Sequence, residues 1–215
     1  MKMLSLAILG AFVLGKPAYA GPVEDGVAHL QKKWAVINYK TPKKDEQLDK
    51  MAALALEADK LTAANPNRAE PLIWSAIVKS TEAGIKGGMG ALGLAKQARR
   101  ELQQAIEIDG KALDGSAYTS LGSLYYQVPG GLIGFGSKKK ARANLQQALA
   151  INPDGIDANY FYGDFLMHRK KYNEAITAFE HALAAPARPN RPIADEGRRM
   201  EIEAKMAEAK AKLAH

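Results

Sequence analysis

Three observations predict an all-α protein built from repeated helical hairpins. Residues 101–110 recur as residues 144–153, displaced by 43 residues, and a third copy follows 34 residues later. Each copy places alanine, a large apolar residue and alanine at i, i+4 and i+7, which makes one stripe on a helix. No alternating apolar pattern is long enough for a strand. The aligned positions are Ala98, Leu102 and Ala105; Ala141, Leu145 and Ala148; and Ala175, Phe179 and Ala182.

Turn signals and apolar periodicity divide the chain into paired helices. A single pair cannot bury its own apolar face, so the pairs must stack. The final helix begins at Pro192, and its polar i,i+4 pairs make 192–215 a capping helix. The predicted helices are 23–38, 45–63, 69–84, 92–108, 115–127, 138–151, 156–169, 172–185 and 192–215.

Residues 1–20 have the pattern of a secretory signal peptide. Lys2 precedes an apolar stretch over residues 4–14, and Ala18 and Ala20 are small residues at the positions that a signal peptidase reads. The stretch is shorter than the roughly 20 residues that a membrane-spanning helix needs. We therefore expect cleavage after Ala20 and a single exported domain over residues 21–215. Since the chain contains no cysteine, the bacterial periplasm is the expected compartment.

Composition and charge exclude several classes of protein. The 215 residues are 47% hydrophobic and 25% charged, which excludes disorder and collagen. The lack of cysteine excludes disulfides, thiolate metal sites and a lipid-modified cysteine. The formal net charge is +7, but the basic clusters are spread along the sequence at helix ends. No nucleic-acid partner is expected, because such binding needs the charges on one face.

The second half of the chain resembles the tetratricopeptide repeat family. The residues that carry the resemblance are Gly163, Leu166, Tyr172, Ala175, Phe179 and Ala182, with Leu121, Gly122 and Tyr125 in the preceding pair. The resemblance implies an α-solenoid of about nine helices whose inner groove is lined by the first helix of each pair. Carried over by position, it places Ile73, Ile77, Thr119, Ser123, Tyr126, Tyr160, Asp164 and Met167 toward that groove.

Two glycine-rich apolar insertions, residues 83–94 and 128–137, interrupt the repeats. Such segments pack inside the fold, cover a hydrophobic cavity or contact another molecule. Under the cavity interpretation, Leu132, Ile133 and Phe135 become candidate ligand-binding residues.

Neither a catalytic site nor a metal or cofactor site is predicted. Residues 88–93 read G-x-G-x-x-G, but the segment before them is helical, whereas the dinucleotide fingerprint follows a strand. The four histidines lack metal-ligand spacing, and no serine lies in a nucleophile elbow. We therefore expect a protein that is not an enzyme.

The signal, the helical repeats and the apolar insertions also resemble the periplasmic T-component of TRAP transporters. The segments concerned are residues 118–126, 134–136 and 160–166. That family implies a hydrophobic cavity, a periplasmic substrate-binding partner and association with further copies of itself. Two functions remain open: a carrier that holds a lipid or hydrophobic acid in a cavity, or a scaffold that grips a peptide or protein in the groove.

Overall fold

The computed structural model describes residues 21–214, and the signal peptide predicted over residues 1–20 lies outside them. Nine helices and no strand occur within the described residues, which confirms the predicted fold class. None of these helices combines the length and apolar character needed to cross a membrane. The helices are α1 (Pro22–Lys40), α2 (Lys44–Ala64), α3 (Ala69–Lys86), α4 (Gly88–Asp109), α5 (Ala112–Gln127), α6 (Lys138–Ile151), α7 (Ile156–His168), α8 (Tyr172–Ala184) and α9 (Pro192–Leu213).

The first eight helices form four hairpins, and consecutive hairpins stack into a solenoid. The pairs are α1–α2, α3–α4, α5–α6 and α7–α8, and each second helix also contacts the first helix of the next pair. The first helices α1, α3, α5 and α7 contact one another in series. Helix α9 packs on α7 and α8 and also reaches back to α1. The inner surface is therefore formed by the first helices, with α9 joining the two ends.

The repeated alanine and large apolar residues form the core between helices. Leu102, Leu145 and Phe179 are completely buried, as are the alanines on either side of each. A Cβ atom on Gly122 would lie 2.7 Å from Leu145, and one on Gly163 would lie 2.6 Å from Phe179. Glycine at these positions lets the two helices of a pair approach closely.

The first apolar insertion is largely helical, which corrects the expected loop over residues 83–94. Helix α3 continues to Lys86, and α4 begins at Gly88 rather than near residue 92. Only Gly87, with φ at 68°, separates the two helices. The G-x-G-x-x-G segment consequently forms the first turns of α4. Helix formation is favoured because Met89, Leu92 and the alanines offset the low helix propensity of glycine.

The second insertion is a loop between α5 and α6. The loop is closed at its base, where the Ser137 amide donates to the Tyr125 carbonyl at 2.7 Å. The Phe135 ring packs edge-on against the Tyr125 ring at a centroid distance of 5.9 Å. Leu132 and Ile133, at the tip of the loop, are exposed. Phe135 therefore packs inside the fold, whereas the side chains at the tip of the loop are exposed to solvent.

Candidate functional site: the central groove

A cavity of about 380 Å³ opens on the inner surface of the solenoid. Residues of α1, α3, α5, α7 and α9 line it, together with Arg191 just before α9. Lys40 on α1 pairs with Glu196 on α9 at 2.8 Å, and the Tyr39 ring lies against Gly197. Because of these contacts, α1 and α9 close the groove on one side. We call this space the central groove.

Aromatic and aliphatic side chains form the apolar wall of the central groove. The Trp34 and Trp74 rings meet edge to face at a centroid distance of 6.0 Å. The Trp34 indole donates to Thr81 Oγ1 at 2.8 Å, which satisfies its only polar group. Ile77 and Phe161 continue the wall. The chain contains only these two tryptophans, so its tryptophan fluorescence comes entirely from side chains in the wall of this cavity.

An ion-pair network around Asp157 adjoins the apolar wall and completes the lining of the groove. Arg198 Nε donates to Asp157 Oδ1, and Arg188 Nη1 donates to Asp157 Oδ2, both at 2.8 Å. Burial alone would raise the pKa of Asp157, but the two guanidinium groups outweigh it and hold that pKa well below its usual range. The Arg198 guanidinium also stacks on the rings of Tyr160 and Phe161, at 4.2 and 4.8 Å. The network fixes α7 to α9 at the groove.

Arg191 differs from its neighbours because its guanidinium lacks a carboxylate at hydrogen-bond distance. Its Nε is buried without a hydrogen-bond partner among the described residues. The guanidinium lies over the Trp74 ring at 5.3 Å, and burial lowers its pKa. Ser80 Oγ, also in the groove lining, is likewise buried without a partner in the described part of the chain. With Tyr39 Oη, three unsatisfied polar atoms of the described residues thus belong to groove-lining side chains beside an apolar wall.

A second cavity of about 450 Å³ adjoins the central groove. Both cavities are lined by Trp74, Ser116, Thr119, Asp157 and Arg191. The second cavity extends toward the turns at residues 152–158 and 185–190. Arg191 and Trp74 therefore stand between two connected spaces.

The structure separates the predicted site residues into three groups. Ile77 lines the central groove together with Thr119 and Ser123. Ile73, Tyr160 and Met167 are buried in the hydrophobic cores, where neighbouring side chains cover them. Leu132, Ile133 and Phe135 belong to the loop at the edge of the solenoid and do not line the cavity.

Tyr126 and Asp164 are brought together, as a bonded pair between α5 and α7. Tyr126 Oη donates to Asp164 Oδ2 at 2.7 Å. Burial, reinforced by the Asp164 carboxylate, raises the pKa of Tyr126 well above its usual value. The bond satisfies Tyr126 Oη and Asp164 Oδ2 and joins neighbouring repeats, and Lys205 Nζ on α9 lies 3.3 Å from the other oxygen, Asp164 Oδ1.

Sequence reasoning missed Trp34, Arg191 and Arg198 as groove residues. The available signal was the density of arginines around residues 188–199, directly after a Pro-rich turn. Within residues 21–214, no group of three or more His, Asp or Glu side chains is arranged to hold a metal ion.

Comparison with known proteins agrees with this architecture. Residues 132–191 match the family model of the tetratricopeptide repeat. TTC0263, a thermophilic TPR protein in Thermus thermophilus, superposes with a TM-score of 0.56 at 14% identity, covering 86% of this chain and 99% of its own. A structure of MamA has a TM-score of 0.45 at 21% identity, covering 77% of this chain and 90% of its own.

No curated protein sequence matches the chain. The matching family model is that of the tetratricopeptide repeat. It lends no support to the resemblance to the T-components of TRAP transporters. The chain therefore has the tetratricopeptide-repeat fold, and residues 132–191 contain the segment that matches that family.

Proposed function

We propose that this protein is a non-enzymatic scaffold that holds a segment of a partner protein in its central groove. Helical solenoids present concave surfaces to their partners. The observation that carries the proposal is the pairing of unsatisfied Arg191 and Ser80 atoms with a wall of tryptophan, isoleucine and phenylalanine side chains. We place the scaffold in the periplasm, on the basis of residues 1–20.

The chemistry of the groove defines the segment it would take. A buried donor without a partner costs about 1–3 kcal/mol, and an acceptor oxygen delivered by the bound segment removes that cost. Arg191 fits a carboxylate or carbonyl oxygen, since its guanidinium is a donor only. The apolar wall at Trp34 and Trp74 fits a neighbouring apolar side chain. The preferred occupant is an extended segment with an acidic residue next to an apolar one.

A small hydrophobic acid is the second candidate occupant, and the size of the groove favours it. The cavity of about 380 Å³ lies within the range of about 300–1,000 Å³ that is typical of small-molecule sites. Under this second proposal, the protein carries a lipid or hydrophobic acid for a periplasmic transport or substrate-binding partner. The proposal of a transport partner is based on the resemblance to TRAP T-components. The same resemblance implies that copies of this protein associate with one another.

Gly84 offers a way to block the groove without disturbing the core. It lines the cavity, and a Cβ atom built there would have no atom within 4 Å. Gly93 on α4 has equally open surroundings and lies outside the cavity lining. Gly84→Phe therefore fills the groove, and Gly93→Phe is the matched control.

The experiment is a selection of displayed random peptides on residues 21–215, followed by calorimetry on both variants. Retention by wild type and Gly93→Phe, with at least tenfold weaker binding to Gly84→Phe, supports the scaffold. A tenfold loss corresponds to about 1.4 kcal/mol of binding free energy. Dodecanoate is the probe for the second candidate. Saturable dodecanoate binding that Gly84→Phe abolishes, with no peptide selected, favours the carrier. Binding that Gly84→Phe leaves unchanged contradicts both.

A further inference from the structure

We propose that one edge of the solenoid docks on an anionic lipid bilayer and inserts the tip of the α5–α6 loop. This edge consists of the turns within the second, third and fourth hairpins, residues 86–90, 128–140 and 169–171. We call it the lysine edge. The proposal is independent of the central groove and of what the groove binds.

The loop tip presents two aliphatic side chains to solvent. Leu132 and Ile133 have relative exposures of 108% and 70%. The base of the loop is held in place, because Arg99 on α4 lies over the Phe135 ring at 4.4 Å. The Gly136 amide also donates to the Pro129 carbonyl at 3.0 Å. A loop with a fixed base and an unpacked apolar tip is suited to insertion into the apolar part of a bilayer.

A third exposed apolar side chain belongs to the neighbouring turn of the lysine edge. Met89, in the first turn of α4, is 92% exposed. Helices α3 and α5 contact each other and are equivalent members of successive hairpins, so the turns that follow them lie at the same end of the solenoid. The contact between Arg99 and Phe135 ties the loop to α4. Met89 and the loop tip therefore project from one edge.

The solenoid gathers basic residues on the same edge. Neither α4 nor α6 has an acidic residue in its first turn, and the helix N-termini there add partial positive charge. In contrast, the turns at the opposite edge carry Asp109, Asp114 and Asp154 beside basic residues. The exposed basic side chains of the lysine edge are Lys86, Lys138, Lys139, Lys140, Arg169 and Lys170.

This combination fits a lipid surface better than a protein surface. Lysine is depleted in protein interfaces, which rely on aromatic residues and arginine. Lysines beside an anionic bilayer are attracted to its headgroups, while aliphatic side chains enter the acyl boundary. The tip is convex, with lysines following it in the first turn of α6. The charges and the apolar tip can therefore engage one membrane together.

Cosedimentation with vesicles tests the proposal. Residues 21–215 are mixed with phosphatidylcholine vesicles, with and without phosphatidylglycerol. The tip variant carries Leu132→Asp and Ile133→Asp. The control carries Leu56→Asp and Met200→Asp, at residues 64% exposed on α2 and α9, so it changes charge equally.

Wild type is expected to pellet only with vesicles that contain phosphatidylglycerol. The tip variant should bind about tenfold more weakly or worse, and the control within about twofold of wild type, because insertion and charge both contribute. Replacing Lys138 and Lys139 with glutamine should also weaken binding. Wild type that stays in the supernatant, or equal losses in tip variant and control, overturns the proposal.

A single labelled cysteine gives a second readout of insertion. The chain contains no cysteine, so Ile133→Cys can carry one environment-sensitive dye, and Leu56→Cys is its control. Insertion predicts a blue shift of the dye emission at Ile133→Cys alone when anionic vesicles are added. Equal spectra at both positions overturn insertion.

Discussion

Replacing Asp157 with asparagine should destabilise the protein by about 3 kcal/mol. The Asp157 carboxylate accepts two hydrogen bonds of 2.8 Å, from Arg188 and Arg198. Breaking a buried ion pair by removing one partner costs about 3–5 kcal/mol. We take the lower end because the Asp157 side chain is 31% exposed, whereas Arg198 is only 9% exposed.

Urea denaturation followed by circular dichroism measures the effect. With a slope of about 1–3 kcal/mol per molar urea, a loss of about 3 kcal/mol moves the midpoint by about 1–3 M. Asp154→Asn is the matched control, because Asp154 is 76% exposed and pairs only with His181 at the surface of the described residues. The Asp154→Asn substitution should lower the free energy of unfolding by less than about 1 kcal/mol. Equal losses in the two variants would refute the role given to the Asp157 network.

The same network predicts how stability depends on pH. The native pKa of Asp157 is lowered, so the native state holds fewer protons on this group than the unfolded state. Its contribution is complete well above the unfolded value of about 3.9, and it is lost as pH falls below that value toward the native pKa. The difference in unfolding free energy between wild type and Asp157→Asn should therefore narrow below about pH 4. A difference that stays constant there would refute the assignment.

Three further substitutions test the packing. Gly163→Ala places a methyl group 2.6 Å from Phe179 and should cost about 1–3 kcal/mol in urea denaturation, and a neutral effect would contradict the close helix approach. Lys79→Met removes the buried cation between α3 and α4 and leaves half-buried Glu101 without this partner, so the thermal unfolding midpoint should move clearly downward; an unchanged midpoint would show that the pair contributes nothing. Gly84→Ala faces open space and should stabilise α3 by up to about 1 kcal/mol, and any loss of stability would contradict that placement.

The helices could be predicted from the sequence because their signals are local. The stripes around Leu102, Leu145 and Phe179 specify both the helices and their buried faces. Apart from the start of α4, the bounds of α1 to α9 agree with prediction to within a few residues. The start of α4 is the exception, since four glycines within residues 87–93 read as a loop, yet only Gly87 and Gly88 among them have a positive φ, and Gly88 already begins α4.

The groove was harder to predict because it depends on contacts between distant parts of the chain. Lys40 and Glu196 are 156 residues apart in sequence, and their contact closes α1 on α9. Periodicity identifies which face of a helix is buried, but not the curvature of the solenoid. Ile73 and Ile77 are one helical turn apart, yet only Ile77 reaches the cavity lining. The cluster at Asp157 and Arg191 likewise forms only when α9 folds back.

The basic clusters also take on a different meaning in the folded chain. In the sequence, the clusters at residues 138–140 and 169–171 are far apart and read as solvated helix ends. Because each follows or lies within a hairpin turn, the repeat places them on one edge. That grouping follows from the repeat architecture, although the exposure of Leu132 and Ile133 could only be found in the structure.

Tryptophan emission during titration with a selected peptide tests the central claim most directly. Trp34 and Trp74 are the only tryptophans and meet in the wall of the groove. The emission should change with the dissociation constant that calorimetry measures, and the change should disappear in Gly84→Phe but not in Gly93→Phe. Calorimetric binding that leaves the emission unchanged, and that both variants retain, would place the binding site outside the groove.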